Sequence, residues 1–405
     1  MSGTQNTMPV RADNFGKTVL LLGNYRPALT VARVLSSDGY NVLVSRDADA
    51  GAARYSRAVA EIWETPDTDD PKRLFSELGQ FLKGRPDIGI VFPLMESYVR
   101  AFHAHADKLP EDRLYVMPNN TALTICFDKA RLLEIAETAG APSAPAVSVS
   151  SKAHLDKAVE EIGFPLVIKP NDSTIWLGKR KALILDDLDA YQSAFPSWPD
   201  EHNALIVQGC MVGPRINLYF AAQNGKALRY LSVQIGDTDM PDGTGLATDA
   251  VTIELTPEVR AIGDALLAEL GYHGVGAIQF LRNSETEALN LLEVNPRIGG
   301  NHAITAYCGM DLEGLAIRLA AGEQKANDLR VGPAGIRYAW TTGALRGIGM
   351  GLRNKELTAA QALLQALSVL WFGLKTRCHI TFVWSDPAPT LVLLARLVPG
   401  MKRLL

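Results

Sequence analysis

The first 95 residues contain runs of apolar residues with no polar alternation, and this pattern constrains the fold more than any other feature. The runs are TVLLLG at 18–23, NVLVS at 41–45 and IGIVFPL at 88–94. A continuously apolar strand is buried on both faces, as in parallel sheets that are covered by helices. Helix-like segments lie between the runs, TVARVLSSDGY before the second and residues 71–83 before the third. We therefore predict an α/β domain built on a parallel sheet.

The pattern changes after residue 128 and becomes rich in short strands. DKARLLEIAETAG predicts an amphipathic helix over 128–140 that ends at Gly140. GVGAIQFL and ALNLLEV flank the polar turn RNSETE and predict a hairpin of two strands. The other predicted elements are strands at 165–169, 181–185, 204–208 and 216–222, and helices at 357–372 and 390–398.

Length and composition exclude several classes of protein. The chain has 405 residues, of which 47% are hydrophobic, so we expect more than one folded domain. Lys and Arg number 40 against 44 Asp and Glu, and this balance argues against a nucleic-acid-binding protein. The four cysteines are far apart, which disfavours a disulfide framework or a zinc site. The polar N-terminus and the lack of a 20-residue apolar stretch predict a cytoplasmic protein.

The predicted hairpin carries the strongest candidate site. Glu293 and Asn295 interrupt an apolar strand and, two residues apart, point to the same face. Pairing across the turn brings Gln279 opposite them. Three oxygen-bearing side chains on one face suit Mg²⁺, with phosphate oxygens completing the coordination. Arg297 follows directly and is placed to stabilise developing negative charge, whereas the competing interpretation is a polar strand face in solvent.

Two lysines are candidates for phosphate binding. Lys169 ends the strand FPLVIKP, and Lys129 opens a helix directly after Asp128. A lysine that emerges from a buried strand is well placed to hold a phosphate as a point charge. Between these lysines and the hairpin, the strand in 204–215 runs into a glycine-containing bend. Such a bend offers backbone groups to a planar base, although an ordinary turn has the same pattern.

The common signatures of nucleotide-binding and hydrolytic proteins are absent. The chain has no GxxxxGK[ST] loop, and GNYRPAL after the first strand lacks the GxGxxG that a dinucleotide pyrophosphate requires. It also has no GxSxG and no HExxH. The hypothesis of an NAD-dependent oxidoreductase is therefore supported only by the Rossmann-like beginning of the chain.

Taken in order along the chain, these motifs resemble the ATP-grasp superfamily, particularly its carboxylate–amine ligases and its carbamoyl-phosphate-synthase-like branch. The resemblance runs from about residue 18 to residue 320. The motifs that carry it are ARYSRA at 53–58, FPLMES, the pair Asp128–Lys129, IKP at Lys169, VQGCMVG at 207–213, IQF at 278–280 and LEVNPR at 292–297.

The resemblance implies a multi-domain α/β and α+β fold. It implies a Rossmann-like preATP-grasp domain at 16–118, an ATP-grasp domain at 119–330 and a helical C-terminal extension at 331–405. A disordered tail of residues 1–15 precedes them in this prediction.

The resemblance also implies a role for each candidate residue. Lys129 and Lys169 would bind the phosphates of ATP, and Gln208, Gly209 and Met211 would line the adenine. The phosphate-covering loop at 171–182 would use Ser173 for a backbone contact, and its apolar tip would exclude water. Gln279, Glu293 and Asn295 would hold Mg²⁺, Arg297 would stabilise the acyl-phosphate, and Glu96 would contact substrate.

The implied reaction is phosphorylation of a carboxylate by ATP, followed by attack of an amine that forms an amide or peptide bond. The alternative is a catalytically weak ATP-binding regulatory or scaffold protein of the same fold. It is motivated by a phosphate loop that contains only Gly178 and by the absence of an acid at 214–218 to hold the ribose.

The C-terminal segment from 357 to 405 combines apolar runs with five basic residues and only one acid after residue 357. We expect it to pack on the ligase core or across a homodimer. The alternative is an amphipathic surface that contacts a membrane or a partner protein. Several members of the family that this chain resembles carry a C-terminal extension, and the WSDPAP turn at 384–389 fits one.

Overall fold

A computed structural model describes residues 12–47, 51–171, 176–178, 180, 182–240, 245–323 and 328–397. The fold class predicted from the sequence is confirmed. Within the described part of the chain, three sheets form, with helices packed on them.

The N-terminal part forms a parallel sheet with the order β3-β2-β1-β4-β5. Its strands are β1 (Thr18–Leu22), β2 (Asn41–Arg46), β3 (Glu61–Glu64), β4 (Ile90–Pro93) and β5 (Leu114–Tyr115). Its helices are α1 (Arg26–Ser37), α2 (Pro71–Gly84) and α3 (Glu96–His105). Leu20 and Leu21 of β1 pack into different core clusters on the two faces, as the apolar runs predicted. Helix α1 begins four residues before the predicted segment because Pro27 starts it favourably.

A smaller antiparallel sheet with the order β6-β9-β7-β8 follows. Its strands are β6 (Ala146–Val149), β7 (Leu166–Pro170), β8 (Leu183–Leu185) and β9 (Leu205–Gly209). The helices in this part of the chain are α4 (Asn120–Phe127), α5 (Lys129–Thr138), α6 (Lys152–Ile162) and α7 (Leu188–Ala194). The carboxylate of Asp128 caps α5 by accepting from the backbone N–H groups of Ala130 and Arg131.

The largest sheet has the order β14-β13-β10-β11-β12-β16-β17, and β15 pairs with β11. The strands are β10 (Arg215–Gln223), β11 (Lys226–Ile235), β12 (Asp249–Ile253), β13 (Gly274–Arg282), β14 (Leu289–Asn295), β15 (Arg330–Val331), β16 (Arg337–Ala339) and β17 (Cys378–His379). The helices are α8 (Pro257–Glu269), α9 (Ala303–Tyr307) and α10 (Leu312–Ala320). The predicted hairpin is present as β13 and β14.

The two faces of this sheet have different neighbours, and this positions the candidate site. Leu218 and Phe220 of β10 pack into a cluster with α8. Tyr219 and Ala221, on the opposite face, pack into a cluster that also contains residues of β1 and α1. Alternate residues of β10 therefore face the N-terminal part of the molecule.

The predicted extension at 331–405 contains three helices, α11 (Thr341–Arg353), α12 (Ala359–Lys375) and α13 (Ala388–Ala395). The sequence did not indicate α11, because its four glycines disfavour a helix in isolation. Close packing accounts for some of them, since a Cβ on Gly347 would lie 2.6 Å from the carbonyl oxygen of Asp239. Helix α12 exposes an apolar face, on which Leu374 is 81% exposed.

The WSDPAP turn joins the C-terminal segment to the N-terminal sheet. The Nε of Arg33 in α1 donates to the Asp386 carboxylate at 2.9 Å, and Ser56 and the backbone N–H of Arg57 donate to the same carboxylate. Burial disfavours the carboxylate, but these hydrogen bonds and the charge of Arg33 together lower the pKa of Asp386. Two motifs singled out from the sequence, ARYSRA and WSDPAP, are therefore in direct contact.

The predicted domain boundaries stay predictions. Most of the predicted tail lies outside the described residues, and Ala12–Phe15 forms a 3-10 helix. Strands β16 and β17, from the predicted extension, extend the largest sheet. Among the described residues, no helix is both long and apolar enough to cross a bilayer.

Candidate active site

A row of three polar side chains crosses the largest sheet on the face toward the N-terminal part. Asn217 of β10 is the register partner of Gln279 of β13, and Gln279 is the partner of Glu293 of β14. Register partners on neighbouring strands point to the same face, so the row presents two amides and one carboxylate side by side. A β-bulge follows this row: Gln279 pairs with Glu293 and Phe280 with Leu291, so Leu292 has no register partner on β13.

Asn295 and Arg297 continue from the carboxylate end of the row. The Nδ2 of Asn295 donates to Oε1 of Glu293 at 2.7 Å, and Nη2 of Arg297 donates to Oδ1 of Asn295 at 3.2 Å. The chain leaves the strand at Pro296, which turns the arginine toward the N-terminal part. The structure thus brings Gln279, Glu293, Asn295 and Arg297 together.

Arg297 bridges to the N-terminal part through Glu96. Its Nη2 lies 3.7 Å from Oε2 of Glu96, and both side chains are 17% exposed. Its Nη1 also donates to the hydroxyl of Tyr25 at 3.4 Å. Burial disfavours the charged guanidinium, but Tyr25, Glu96 and Glu293 outweigh it and raise the pKa of Arg297. A cation is therefore held beside the polar row from the side of the N-terminal sheet.

The donor set of the row suits a hard divalent cation that is completed by other ligands. Carboxylate and amide oxygens are the groups that Mg²⁺ prefers, and Mg²⁺ in phosphate-transfer sites takes few protein ligands. Asn217 is only 5% exposed, and its Oδ1 has no hydrogen-bond partner among the residues that the structure describes. Within the described ranges no group of three His, Cys, Asp or Glu is placed to hold a metal. The ligands that the row offers to a metal ion are therefore one carboxylate and the neighbouring amide oxygens.

Lys129 and Lys169 lie close together on the neighbouring elements α5 and β7. The Nζ of Lys129 donates to the carbonyl of Pro170 at 2.7 Å, and the Nζ of Lys169 donates to Oε1 of Gln208 at 2.8 Å. Burial and the nearby charge of Lys129 lower the pKa of Lys169 to about 8, although Glu293 opposes the shift. Two like charges in a partly buried position provide a site for an anion.

Backbone hydrogen bonds fix the start of the bend that follows β9. The backbone N–H groups of Gly209 and Cys210 donate to the carbonyls of Pro145 and Pro165, both at 3.0 Å. The N–H of Met211 forms no hydrogen bond within the described residues. Gly213 lies against the hairpin, where a Cβ would be 1.8 Å from the carbonyl oxygen of Arg282. Close backbone packing, rather than nucleotide contact, therefore accounts for the last glycine of VQGCMVG.

The predicted loop over the phosphates is only partly described. Ser173 and Lys179 lie outside the described residues. Trp176 is 44% exposed, whereas Leu177 is buried. Arg180 forms an ion pair with Glu356 at 3.7 Å, which connects this loop to the predicted extension at 331–405, between α11 and α12.

Two polar residues of β10, Asn217 and Arg215, were not among the sequence candidates. Like Glu293, each is a polar residue in an apolar strand. Arg215 directly precedes the apolar run INLYFAA, and Asn217 interrupts it. The register that places them beside the hairpin depends on pairing between strands some 60 residues apart. That pairing is not apparent from local pattern alone.

Comparison with known proteins finds one matching family model, described as ATP-grasp in the biosynthetic pathway with Ter operon, over residues 243–344. Among curated proteins, the 2-oxoglutarate carboxylase small subunit of Hydrogenobacter thermophilus is 25% identical over 59% of this chain and 52% of its own length. The chain thus spans about half the length of this relative.

Two solved structures are similar over most of the chain. The biotin carboxylase domain of Hydrogenobacter thermophilus 2-oxoglutarate carboxylase, in complex with MgADP, ADP and bicarbonate, has a TM-score of 0.63 at 18% identity, over 79% of this chain and 73% of its own. The L-amino acid ligase of Bacillus licheniformis has a TM-score of 0.58 at 17% identity, over 76% of this chain and 75% of its own. At these identities the similarity shows the fold.

The chain therefore has an ATP-grasp fold, and the resemblance to the ATP-grasp superfamily that its motifs predicted is confirmed.

Proposed function

We propose that the protein is an ATP- and Mg²⁺-dependent ligase that joins a carboxylate to an amine, with release of ADP and phosphate. The observation that carries the proposal is the polar row Asn217–Gln279–Glu293, with the lysine pair and Arg297 close to it. The similarity to the MgADP-bound carboxylase domain and to the L-amino acid ligase supports the nucleotide and the reaction class.

The lysines account for nucleotide binding in this proposal. Lys129 and Lys169 repel one another in the free protein, and nucleotide phosphates would relieve this repulsion. The N–H of Met211, with Gln208 and Gly209, would line the adenine. Gln279, Glu293 and Asn295, now joined by Asn217, would hold Mg²⁺, which would neutralise phosphate charge when bound.

Arg297 and the lysines would act on the reacting groups. A carboxylate oxygen of the acid attacks the γ-phosphorus of ATP, the bond to the β–γ bridging oxygen breaks, and ADP leaves. The amine nitrogen then attacks the acyl carbon, the carbon–oxygen bond to phosphate breaks, and the nitrogen loses a proton. Arg297 would stabilise the negative charge of the acyl-phosphate, and Glu96 would orient Arg297.

A hydroxamate assay tests the proposed reaction. The protein is incubated with ATP, Mg²⁺, hydroxylamine and a panel of carboxylic acids that includes amino acids. We expect one class of acid to give a hydroxamate together with an equal amount of ADP. No hydroxamate across the panel would contradict the proposal.

Matched variants assign the product to this site. Glu293→Gln should reduce hydroxamate formation by at least about 100-fold, because the row loses its only carboxylate. Glu285→Gln, an exposed change on the turn of the same hairpin, should leave the rate unchanged. Equal rates for wild type and Glu293→Gln would instead favour the alternative of a weakly active ATP-binding regulatory or scaffold protein.

The acid and amine substrates are small molecules in this proposal. A cytoplasmic location, a homodimer and a membrane or partner contact through 357–405 stay predictions. The exposed apolar face of α12 supports an interface there.

A further inference from the structure

Arg26 and Arg215 are partly buried guanidinium groups without a carboxylate partner. Nη1 of Arg26 donates to Oδ1 of Asn301 at 3.2 Å, and the guanidinium lies 4.3 Å from the ring centroid of Trp340. Both Nη atoms of Arg215 lie 3.4 Å from the carbonyl oxygen of Gly245, and its buried Nε has no partner in the described ranges. In the part of the chain that the structure describes, neither arginine forms an ion pair.

The two arginines contact one short segment, although they come from distant parts of the chain. Nη1 of Arg26 donates to the carbonyl oxygen of Ala247 at 3.5 Å, two residues from the carbonyl of Gly245 that Arg215 contacts. Arg26 is the first residue of α1, and Arg215 is the first residue of β10. The fields of both arginines act on the buried phenols of Tyr219 and Tyr338. Arg215, Asn217 and Tyr219 are alternate residues of one strand, so they share the face that is turned toward α1.

Neither guanidinium contacts a carboxylate among the described residues. Asp239 attracts both arginines, but Arg346 donates to it at 2.8 Å and the N–H of Leu246 donates to it at 2.6 Å. Glu293 also attracts Arg215, but it accepts a hydrogen bond from Asn295. Burial lowers the pKa of Arg26 despite the attraction of Asp239. A desolvated guanidinium without a counter-ion is costly, so this arrangement favours a bound anion.

Asn217 belongs to the polar row and lies on the same strand face as Arg215, two residues away. Its side chain is 5% exposed, and its Nδ2 donates to the hydroxyl of Tyr219 at 3.2 Å. Asn217 is therefore shared by the two arrangements. Arg297 lies at the β14 end of the row, two residues after Asn295. Asn295 pairs with Ala277, and Ala277 pairs with Tyr219.

We infer that Arg26 and Arg215 bind a second carboxylate of the acid substrate, so that the substrate is a dicarboxylic acid. The inference rests on the proposed function, in which Arg297 serves the carboxylate that is phosphorylated. A carboxylate matches the planar fork of a guanidinium with two parallel hydrogen bonds. The Arg26 guanidinium also lies over the ring of Trp340, a contact that restricts its position.

Binding measurements with matched acids test the inference. Succinate, glutarate and adipate are titrated against butyrate, pentanoate and hexanoate, at constant ionic strength, with and without MgADP. We expect at least one dicarboxylate to bind at least tenfold more tightly than the monocarboxylate of equal length. Equal affinity within every pair, or no binding of any dicarboxylate, would overturn the inference.

Variants assign the discrimination to the two arginines. Arg26→Gln and Arg215→Gln should each weaken dicarboxylate binding at least tenfold, whereas the affinity for MgADP should change less than twofold. Arg229→Gln is a matched control, because Arg229 is a partly buried arginine of the same sheet without a carboxylate ion pair within the described residues. Circular dichroism checks that each variant is folded, and Arg26→Lys and Arg215→Lys, which keep the charge, replace any variant that is not.

The outcomes separate this inference from the proposed function. Loss of MgADP affinity in the Arg215 variant would assign Arg215 to the nucleotide and overturn the inference. Hydroxamate formation without a preference for dicarboxylates would leave the proposed reaction standing and overturn the inference alone. Selective dicarboxylate binding without any hydroxamate would contradict the reaction but not the binding site.

Discussion

The lowered pKa of Lys169 predicts that nucleotide binding takes up a proton. In the free protein this pKa is about 8, because of burial and the charge of Lys129. The phosphates of a bound nucleotide bring negative charge close to the ammonium group and raise its pKa again. The protein must therefore bind a proton together with the nucleotide at any pH at which free Lys169 is partly neutral.

The expected magnitude follows from this pKa. A group with a pKa of about 8 is about 10% neutral at pH 7, half neutral at pH 8 and about 90% neutral at pH 9. If bound phosphates keep Lys169 fully charged, uptake rises from about 0.1 proton at pH 7 to about 0.5 at pH 8. Titration calorimetry of MgADP in buffers of different ionisation enthalpy measures this number.

Variants of Lys169 identify the group that takes up the proton. Lys169→Arg keeps the charge but does not titrate in this range, so the uptake at pH 8 should fall to that of the nucleotide itself. Lys157→Arg, an exposed change on α6, should keep the wild-type uptake. Uptake that is independent of pH between 7 and 9, or that persists in Lys169→Arg, would refute the placement of Lys169 at the phosphates.

Two further predictions concern the C-terminal segment. Asp386→Ala should destabilise the protein by about 3 kcal/mol in urea unfolding, because it leaves the partly buried Arg33 without its counter-ion. Asp69→Ala, at an exposed carboxylate, is the control and should cost less than about 0.5 kcal/mol. A cost for Asp386→Ala as small as that of the control would mean that the turn is not fixed in this way. Leu367→Lys, on the exposed face of α12, should change the free energy of unfolding of a monomer by less than about 0.5 kcal/mol. If a dimer uses this face, the same substitution should dissociate it, and light scattering measures the resulting mass. A dimer that is unaffected by the substitution would place its interface elsewhere.

The sequence predicted the local elements well because each has a strong local pattern. The apolar runs of β1, β2 and β4 specify a buried parallel sheet, and the hairpin of β13 and β14 follows from two apolar runs around a polar turn. The residues that the motifs nominated on these elements, such as Glu293 and Lys169, are brought together in the structure.

The sequence did not predict what depends on contacts between distant segments. Arg26 belongs to α1, yet its neighbours Asn301 and Trp340 lie some 275 and 314 positions further along. Similarly, α11 is stabilised by close packing of small residues, such as Gly343 against Trp340, which helix propensity does not report. Such contacts are determined by the tertiary arrangement rather than by the local sequence.

In the proposed reaction the protein transfers the γ-phosphoryl group of ATP to a carboxylate. The most direct test uses the acid that gives the largest hydroxamate yield, with its carboxylate labelled with ¹⁸O. Because the acyl carbon–oxygen bond breaks when the amine attacks, one ¹⁸O atom should appear in the released phosphate for each amide formed. Phosphate free of ¹⁸O, released together with ADP, would contradict the account and leave only hydrolysis of ATP.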